Sequence, residues 1–216
     1  MPAPSSYQVA AACMSAILEK HAIKHAIIGG SAVSFLGHTR RTLDIDVLID
    51  VKNPEETRGR ISQLLIDGDS RFSVEHNKLF FTSPQGRIPI ETLPIGHIGL
   101  PRQLLVIRPG DGTVPVLHPA VLILTKIKRC VHLIHSTRPQ SVTKFHSDVS
   151  DINFLMKWLV ENEKKVDFVG YQSANVDKLY AATKDLVKHW KETGESEGIE
   201  LMDLVLEHSD REKIMD

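Results

Sequence analysis

Ala26-Ile27-Ile28-Gly29-Gly30-Ser31, followed by Arg41-Thr42-Leu43-Asp44-Ile45-Asp46-Val47, is the stretch whose reading decides the fold. Ala26–Ile28 is a short apolar run that reads as a buried strand, and Gly29-Gly30 ends it in a tight turn. Ser31 to Leu36 suits one or two helical turns, with Gly37 as a left-handed stop. From Leu43 to Ile49 apolar and acidic residues alternate. That is strand periodicity, and it puts Asp44 and Asp46 on one face.

A strand, a glycine turn, a helix start and an acidic strand together favour phosphate chemistry. Glycines let backbone amides approach a phosphate, and a helix N-terminus adds a positive dipole. Ser31 adds a hydroxyl donor. Aspartates at i and i+2 project side by side, so their oxygens can share cations. A later segment, Arg87–Leu93, supplies a third carboxylate: Ile88, Ile90 and Thr92 point one way, and Pro89, Glu91 and Leu93 the other. Carboxylate, phosphate and water oxygens suit Mg²⁺ or Mn²⁺, and two such ions can flank an in-line displacement at phosphorus.

Outward from this stretch, Ser5 or Ser6 caps a first helix in which Val9, Cys13, Ala16 and Ile17 recur at helical spacing. Asn53-Pro54 opens a helix to about Ile66, closed by Asp67-Gly68-Asp69. Short strands follow near Phe72–Glu75 and Leu79–Thr82, and Ser83-Pro84-Gln85-Gly86 turns the chain into Arg87–Leu93. Val114–Leu117 reads as another strand. The rest is helical: His118-Pro119 to about Ile134, Asp148–Asn162 after a loop at Ser136–Ser141, then Asn175–Trp190 and Glu197–His208. The expected architecture is α/β (α+β): a mixed sheet flanked by helices over residues 1–115, then a helical region over residues 116–216.

Bulk properties constrain the partners. The 216 residues are 42% hydrophobic and 25% charged, ordinary for a globular protein. The formal net charge of −1 argues weakly against a large nucleic-acid footprint. The charges are uneven, however. Gly112 to Ser147 holds no Asp or Glu but carries Lys126, Lys128, Arg129, Arg138 and Lys144, which reads as a local anion site. Cys13 and Cys130 lie in apolar helical patterns and read as buried small hydrophobes. The N-terminus lacks a signal-peptide pattern and no apolar run is long enough to span a membrane, so a reducing interior, cytoplasmic or nuclear, is expected. His21 with His25, and His132 with His135, have zinc-compatible spacing but no partner set. Trp158 and Trp190 read as core anchors.

The Gly-Gly turn with Arg41-Thr42-Leu43-Asp44-Ile45-Asp46 resembles the signature of nucleotidyltransferases of the DNA polymerase β superfamily, and most of all the branch containing AbiEii-type toxins and related small nucleotidyltransferases. His118-Pro119 with Leu122, Leu124 and Lys126 resembles that family's helix bearing a phosphate-contacting lysine. Asp148-Val149-Ser150-Asp151-Ile152 resembles its later Asp-x-x-Asp-Ile helix start. The likeness covers roughly residues 20 to 160. It implies the nucleotidyltransferase fold, with Asp44, Asp46 and Glu91 as catalytic and metal-binding carboxylates and Glu91 on the acceptor side. It also implies nucleotide contacts from Gly29, Gly30, Ser31, Arg41 and Lys126, with Lys128 as the alternative lysine. Glu91 departs from the pattern, since the third carboxylate is more often Asp in this superfamily. The basic residue usual before the Asp-x-x-Asp is replaced by a less clear Lys144-Phe145-His146-Ser147.

The expected activity is transfer of a nucleoside monophosphate from an NTP to an acceptor hydroxyl, on a small molecule, RNA or protein, with Mg²⁺ or Mn²⁺. The competing expectation is an inactive protein of the same fold that senses nucleotide or binds a partner. Outside the resemblance, Asp148 and Asp151 read as a helix cap and first-turn charges, and Arg40 and Arg41 as surface residues or as cations that neutralise phosphate or the aspartate pair.

Overall fold

A computed structural model describes residues 5–40, 42–51 and 54–215; Arg41 and Asn53, both singled out above, lie outside the described residues. The chain divides into two compact units: Met1–Ile98 with Arg102–Leu117, and Gly99–Pro101 with His118–Asp216.

The first unit opens with α1 (Ser6–Lys20). Ser5 caps it: its hydroxyl accepts from the Gln8 amide while the Gln8 side chain accepts from the Ser5 amide, a reciprocal capping box. Then come β1 (His25–Ile28), α2 (Gly29–Phe35), β2 (Ile45–Ile49), α3 (Pro54–Gly68), β3 (Phe72–Glu75), β4 (Lys78–Ser83) and β5 (Gly86–Pro94). A single 3₁₀ turn at His97–Gly99 precedes β6 (Val106–Ile107) and β7 (Val116–Leu117). The strands form one seven-stranded sheet in the order β3-β4-β5-β2-β1-β7-β6. It is mixed: β1 pairs antiparallel with β2 and parallel with β7, and β2 pairs parallel with β5. The central strands are apolar on both faces, since all four residues of β1 are buried and Ile45, Val47, Leu48 and Ile49 of β2 are too. Helices α1 and α3 pack on each other and on the sheet, while α2 packs on β1, β2 and β7.

The second unit is helical: α4 (Pro119–Val131), α5 (Pro139–Glu161), α6 (Asp177–Thr193), α7 (Ser196–Val205) and α8 (His208–Ile214). His118 caps α4, its Nδ1 accepting from the Ala120 amide, and Pro119 takes the first position. Trp190 of α6 is a core anchor, and Gly198 of α7 lies against its indole; Trp158 is only half-buried. No described helix is long and apolar enough to cross a membrane.

Several elements differ from the sequence reading. The acidic strand begins at Ile45, not Leu43. Leu43 is 78% exposed, and it and Asp44 form a bend ahead of β2. The later helix starts at Pro139 rather than Asp148, because a proline at the first helical position is pre-set for helix and carries the chain straight through Asp148. The last expected helix is two, α7 and α8, separated where Leu206 turns extended. Strand β6 is too short to show periodicity.

His25 illustrates how the sheet is tied to α1. It is 4% exposed. Its Nδ1 lies 3.1 Å from the Ile23 carbonyl, which can only accept, so Nδ1 carries the proton. Nε2 then accepts from the Ser15 hydroxyl at 3.0 Å. Burial holds the His25 pKa below its ordinary value, and burial and Lys164 do the same to His118. For a base whose folded pKa is depressed, the unfolded chain binds more protons in the window between the folded pKa and the ordinary value near 6.5. Stability therefore rises with pH through that window and falls on acidification. Urea unfolding from pH 5 to pH 8 should show this slope, and H25Q should flatten part of it.

Candidate nucleotide site

The site is set by strand register. Asp46 on β2 stands opposite Ile28 of β1 on one side and opposite Glu91 of β5 on the other. Residues directly opposed in a ladder project from the same face, with their backbones about 4.8 Å apart. Asp46 and Glu91 are therefore neighbours on one face, beside the end of β1 where the glycine turn begins. Asp46 is half-buried and Glu91 exposed, and both make interactions with other groups.

Gly29 opens α2 with φ of +69°. A methyl group there would fall 2.2 Å from Asp46 Oδ2, so the carboxylate lies directly against the glycine. Gly30 is covered by Arg40: a methyl group on Gly30 would meet the guanidinium carbon at 2.9 Å. Arg40 is half-buried and brings positive charge to the turn. Sequence reasoning left this residue undecided; the signal was its fixed place between the glycine turn and the acidic pair.

Asp44 is exposed, in the bend before β2. It lines, with Glu91, a cavity of about 480 Å³. Its charge also reaches Tyr7 of α1, whose pKa is raised by burial and then by Asp44. Ser31 is 1% exposed, and its hydroxyl donates to the Ile28 carbonyl at 3.2 Å, so its proton is spent inside its own turn. Arg41 lies outside the described residues.

Lys126 differs most from expectation. It is 2% exposed, donates to Asp151 at 2.7 Å and lies 3.7 Å from Asp148. Asp148 is also held by the Arg129 guanidinium. Asp148 and Asp151 are thus neither cap nor first-turn charges; they are buried mid-helix carboxylates of α5 facing the cations of α4. Burial pulls the Lys126 pKa below the ordinary lysine value, with attraction to Asp151 opposing it. Lys128 donates to the Gly99 carbonyl. The cations between Gly112 and Ser147 that suggested an anion site are in large part committed within the helical unit.

Among the described residues, no three His, Cys, Asp or Glu side chains converge to hold a metal. Mg²⁺ seldom uses an all-protein cage; it takes one or two carboxylates, keeps waters and completes its shell with substrate phosphates. The arrangement of Asp46, Glu91 and Asp44 beside a glycine turn fits that mode of binding.

Comparisons with known proteins bear on the fold. No family model matches the chain, and no curated protein matches it by sequence. Among solved structures it is similar to an antigenic nucleotidyltransferase-like protein from Paracoccidioides brasiliensis, with a TM-score of 0.65 and 19% identity over 92% of this chain and 95% of that one. A weaker likeness, TM-score 0.45 and 14% identity over 85% of this chain and 92% of the other, is to the antibiotic-resistance factor ANT(2'')-Ia. The chain has the nucleotidyltransferase fold.

Two substitutions test these packing assignments. G29A forces an L-residue into a left-handed turn, at about 1–2 kcal/mol, and also displaces the Asp46 carboxylate. Denaturant unfolding should show a loss of at least that size. K126M leaves two carboxylates buried without their lysine, and the loss should be about 3–5 kcal/mol, whereas K128M should cost far less.

Proposed function

We propose that this chain, built on the nucleotidyltransferase fold, transfers a nucleoside monophosphate from an NTP to an acceptor hydroxyl, within the DNA polymerase β superfamily. The observation that carries the reading is the adjacency of Asp46 to both Gly29 and Glu91. A phosphate cradle, a carboxylate pair and a neighbouring cation are then within one small patch. The narrower resemblance to the AbiEii-type branch draws on sequence alone, the Gly29-Gly30 turn and Arg41–Asp46 at their spacing, with the later helix motifs.

In this reading the backbone of Gly29, Gly30 and Ser31 approaches the triphosphate, and Arg40, with Arg41, neutralises it. Asp44, Asp46 and Glu91 would hold Mg²⁺ or Mn²⁺, which supplies Lewis-acid stabilisation of charge at phosphorus. The acceptor oxygen attacks the α-phosphorus and forms a new P–O bond. The bond to the bridging oxygen breaks, and pyrophosphate leaves with the electron pair. The acceptor proton passes to a carboxylate, Glu91 being the one on the acceptor side, and then to solvent. Lys126 is buried between α4 and α5 and committed to Asp151, so the cation proposed for the triphosphate is Arg40 instead.

Two sequence features favour a second reading, nucleotide sensing without turnover: Glu91 stands where the resemblance calls for Asp, and the basic position before Asp148 is incomplete. A single pair of experiments separates the readings. With a non-hydrolysable NTP and Mn²⁺ at one hundred times the dissociation constant, unfolding should be shifted by about 2.7 kcal/mol, and D46N should abolish the shift. Labelled NTP with Mg²⁺ and acceptor should then give labelled product. Stabilisation without product favours the sensor, and no metal-dependent stabilisation overturns both.

A further inference from the structure

The face of the sheet that carries Asp46 and Glu91 continues across β5, β4 and β3. Residues two apart on a strand share a face, and so do residues directly opposed in a ladder. Glu91, Pro89 and Arg87 of β5 are therefore joined by Phe80 and Thr82 of β4, which stand opposite Pro89 and Arg87, and by Lys78, two places from Phe80. Ser73 and Glu75 of β3, opposite Phe80 and Lys78, complete the surface. All of these residues are exposed or half-buried, whereas Leu79, Phe81, Ile88 and Ile90 are buried on the other face.

Phe80 stands out here as a half-buried aromatic among polar residues. Arg87 covers it, with the guanidinium carbon 4.1 Å from the ring centroid. Arg87 Nη1 also donates to Glu75 Oε2 at 2.6 Å. Glu75 is on β3 and Arg87 on β5, so the arginine side chain crosses β4, and Phe80 is the ring it crosses. The carboxylate thus anchors a planar cation over an aromatic ring, and 39% of the Arg87 side chain remains exposed. Nucleobases are bound by such surfaces, stacked on aromatic rings or guanidinium planes, with little demand on which base it is.

The stack lies one step of the strand from the carboxylates. Phe80 is opposite Pro89, and Pro89 precedes Glu91 by two residues, about 6.6 Å along the strand. That matches the reach from a base to the hydroxyls of its own ribose. Charge decides between one nucleoside and a polynucleotide. Asp46, Glu91 and Glu75 share this face with Lys78 and Arg87, and Arg87 is already paired to Glu75. A nucleic-acid backbone needs a track of cations for its phosphates. One lysine beside an acidic pair is no such track, and a neutral nucleoside needs none.

We propose that the Phe80–Arg87 stack is the acceptor platform and that the acceptor is a nucleoside. Its base lies on the guanidinium and its ribose over Pro89, which brings a ribose hydroxyl to Glu91. The hydroxyl oxygen bonds to the α-phosphorus of the NTP, the bond to the bridging oxygen breaks, and pyrophosphate leaves with the electron pair. The hydroxyl proton passes to Glu91, and the product is a dinucleoside monophosphate. The inference rests on the nucleotidyl-transfer reading, but its binding half is measured without NTP.

The test is an NMR titration of the full chain, free of NTP, with adenosine, ribose and a single-stranded oligoadenylate. Adenosine should bind saturably with shifts centred on Phe80 and Arg87, and ribose roughly ten-fold more weakly or worse. R87K keeps the charge that Glu75 needs but loses the plane. It should weaken adenosine by roughly five-fold or more, the low end of one stacking contact, and F80L should do the same. Arg87 is on the surface, so R87K does not threaten folding. Equal binding of adenosine and ribose, adenosine shifts confined to Gly29–Ser31, or an affinity unchanged in R87K overturns the proposal. Oligoadenylate bound at Phe80 far more tightly than adenosine makes RNA the ligand and overturns it too. A chain that binds NTP with metal yet takes no adenosine at Phe80 keeps the nucleotide reading and loses this one. A chain that takes adenosine there and binds no NTP loses the acceptor role for the platform.

Discussion

The alignment of three strand positions, Ile28, Asp46 and Glu91, is the constraint from which the candidate site follows. Side chains alternate along a strand, so a slip of one residue between β2 and β5 would send Asp46 and Glu91 to opposite faces. The apolar residues around them prevent that slip. Ile88, Ile90 and Thr92 of β5 are buried where Arg87 and Glu91 are exposed, so moving β5 by one place would carry its buried residues to the open face. The same packing fixes the end of β1, and so the point at which Gly29 takes its left-handed turn against Asp46. Hydrophobic register thus holds a polar geometry whose members contribute little to stability themselves.

Charge is distributed by a different logic in the helical unit. Lys126, Arg129, Asp148 and Asp151 pair with one another between α4 and α5, the lysine and both carboxylates buried and the guanidinium partly exposed. Such groups are costly to desolvate and more costly to strip of a partner, so they make the pairing of these two helices particular without adding much net stability. In the α/β unit the notable cations, Arg40 and Lys78, remain at the rims of a turn and a cavity. A count of lysines and arginines along the chain points toward the helical unit, because it cannot tell a cation consumed by a buried carboxylate from one at the rim of a turn or cavity.

Much of the architecture was legible from local signals. The Ser5 capping box, the Gly-Gly end of β1, the Ser83–Gly86 hairpin and the alternation of β5 each depend on neighbours close in sequence, where periodicity and turn chemistry are most informative. The misreadings share one cause. Leu43 and Asp44 continue the alternation of β2 without pairing in the sheet: β1 has already ended at Ile28, opposite Asp46, and pairing depends on such partners and not on their own pattern. Asp148 reads as a helix start because a carboxylate usually sits there; its true partners, Arg129 and Lys126, are 19 and 22 residues away. The hydroxyl of Ser31 was committed to its own turn, and the position of Arg40 over Gly30 required the fold of the whole connection. Local rules named the chemistry well and its long-range partners poorly.

The three residues Gly99–Pro101 carry a consequence of their own. They belong with the helical unit although the chain on both sides of them belongs to the other, and the Gly99 carbonyl accepts from both the Lys128 ammonium and the Tyr171 hydroxyl. Tyr171 is 1% exposed, so its hydroxyl has no ready substitute acceptor. Neither unit is a continuous length of polypeptide, and no single scission yields both intact. A gene fragment beginning at His118 would encode every helix of the second unit yet lack the backbone atom on which two of its side chains close. Recombination within this fold is therefore steered toward exchanging the whole chain, not its halves.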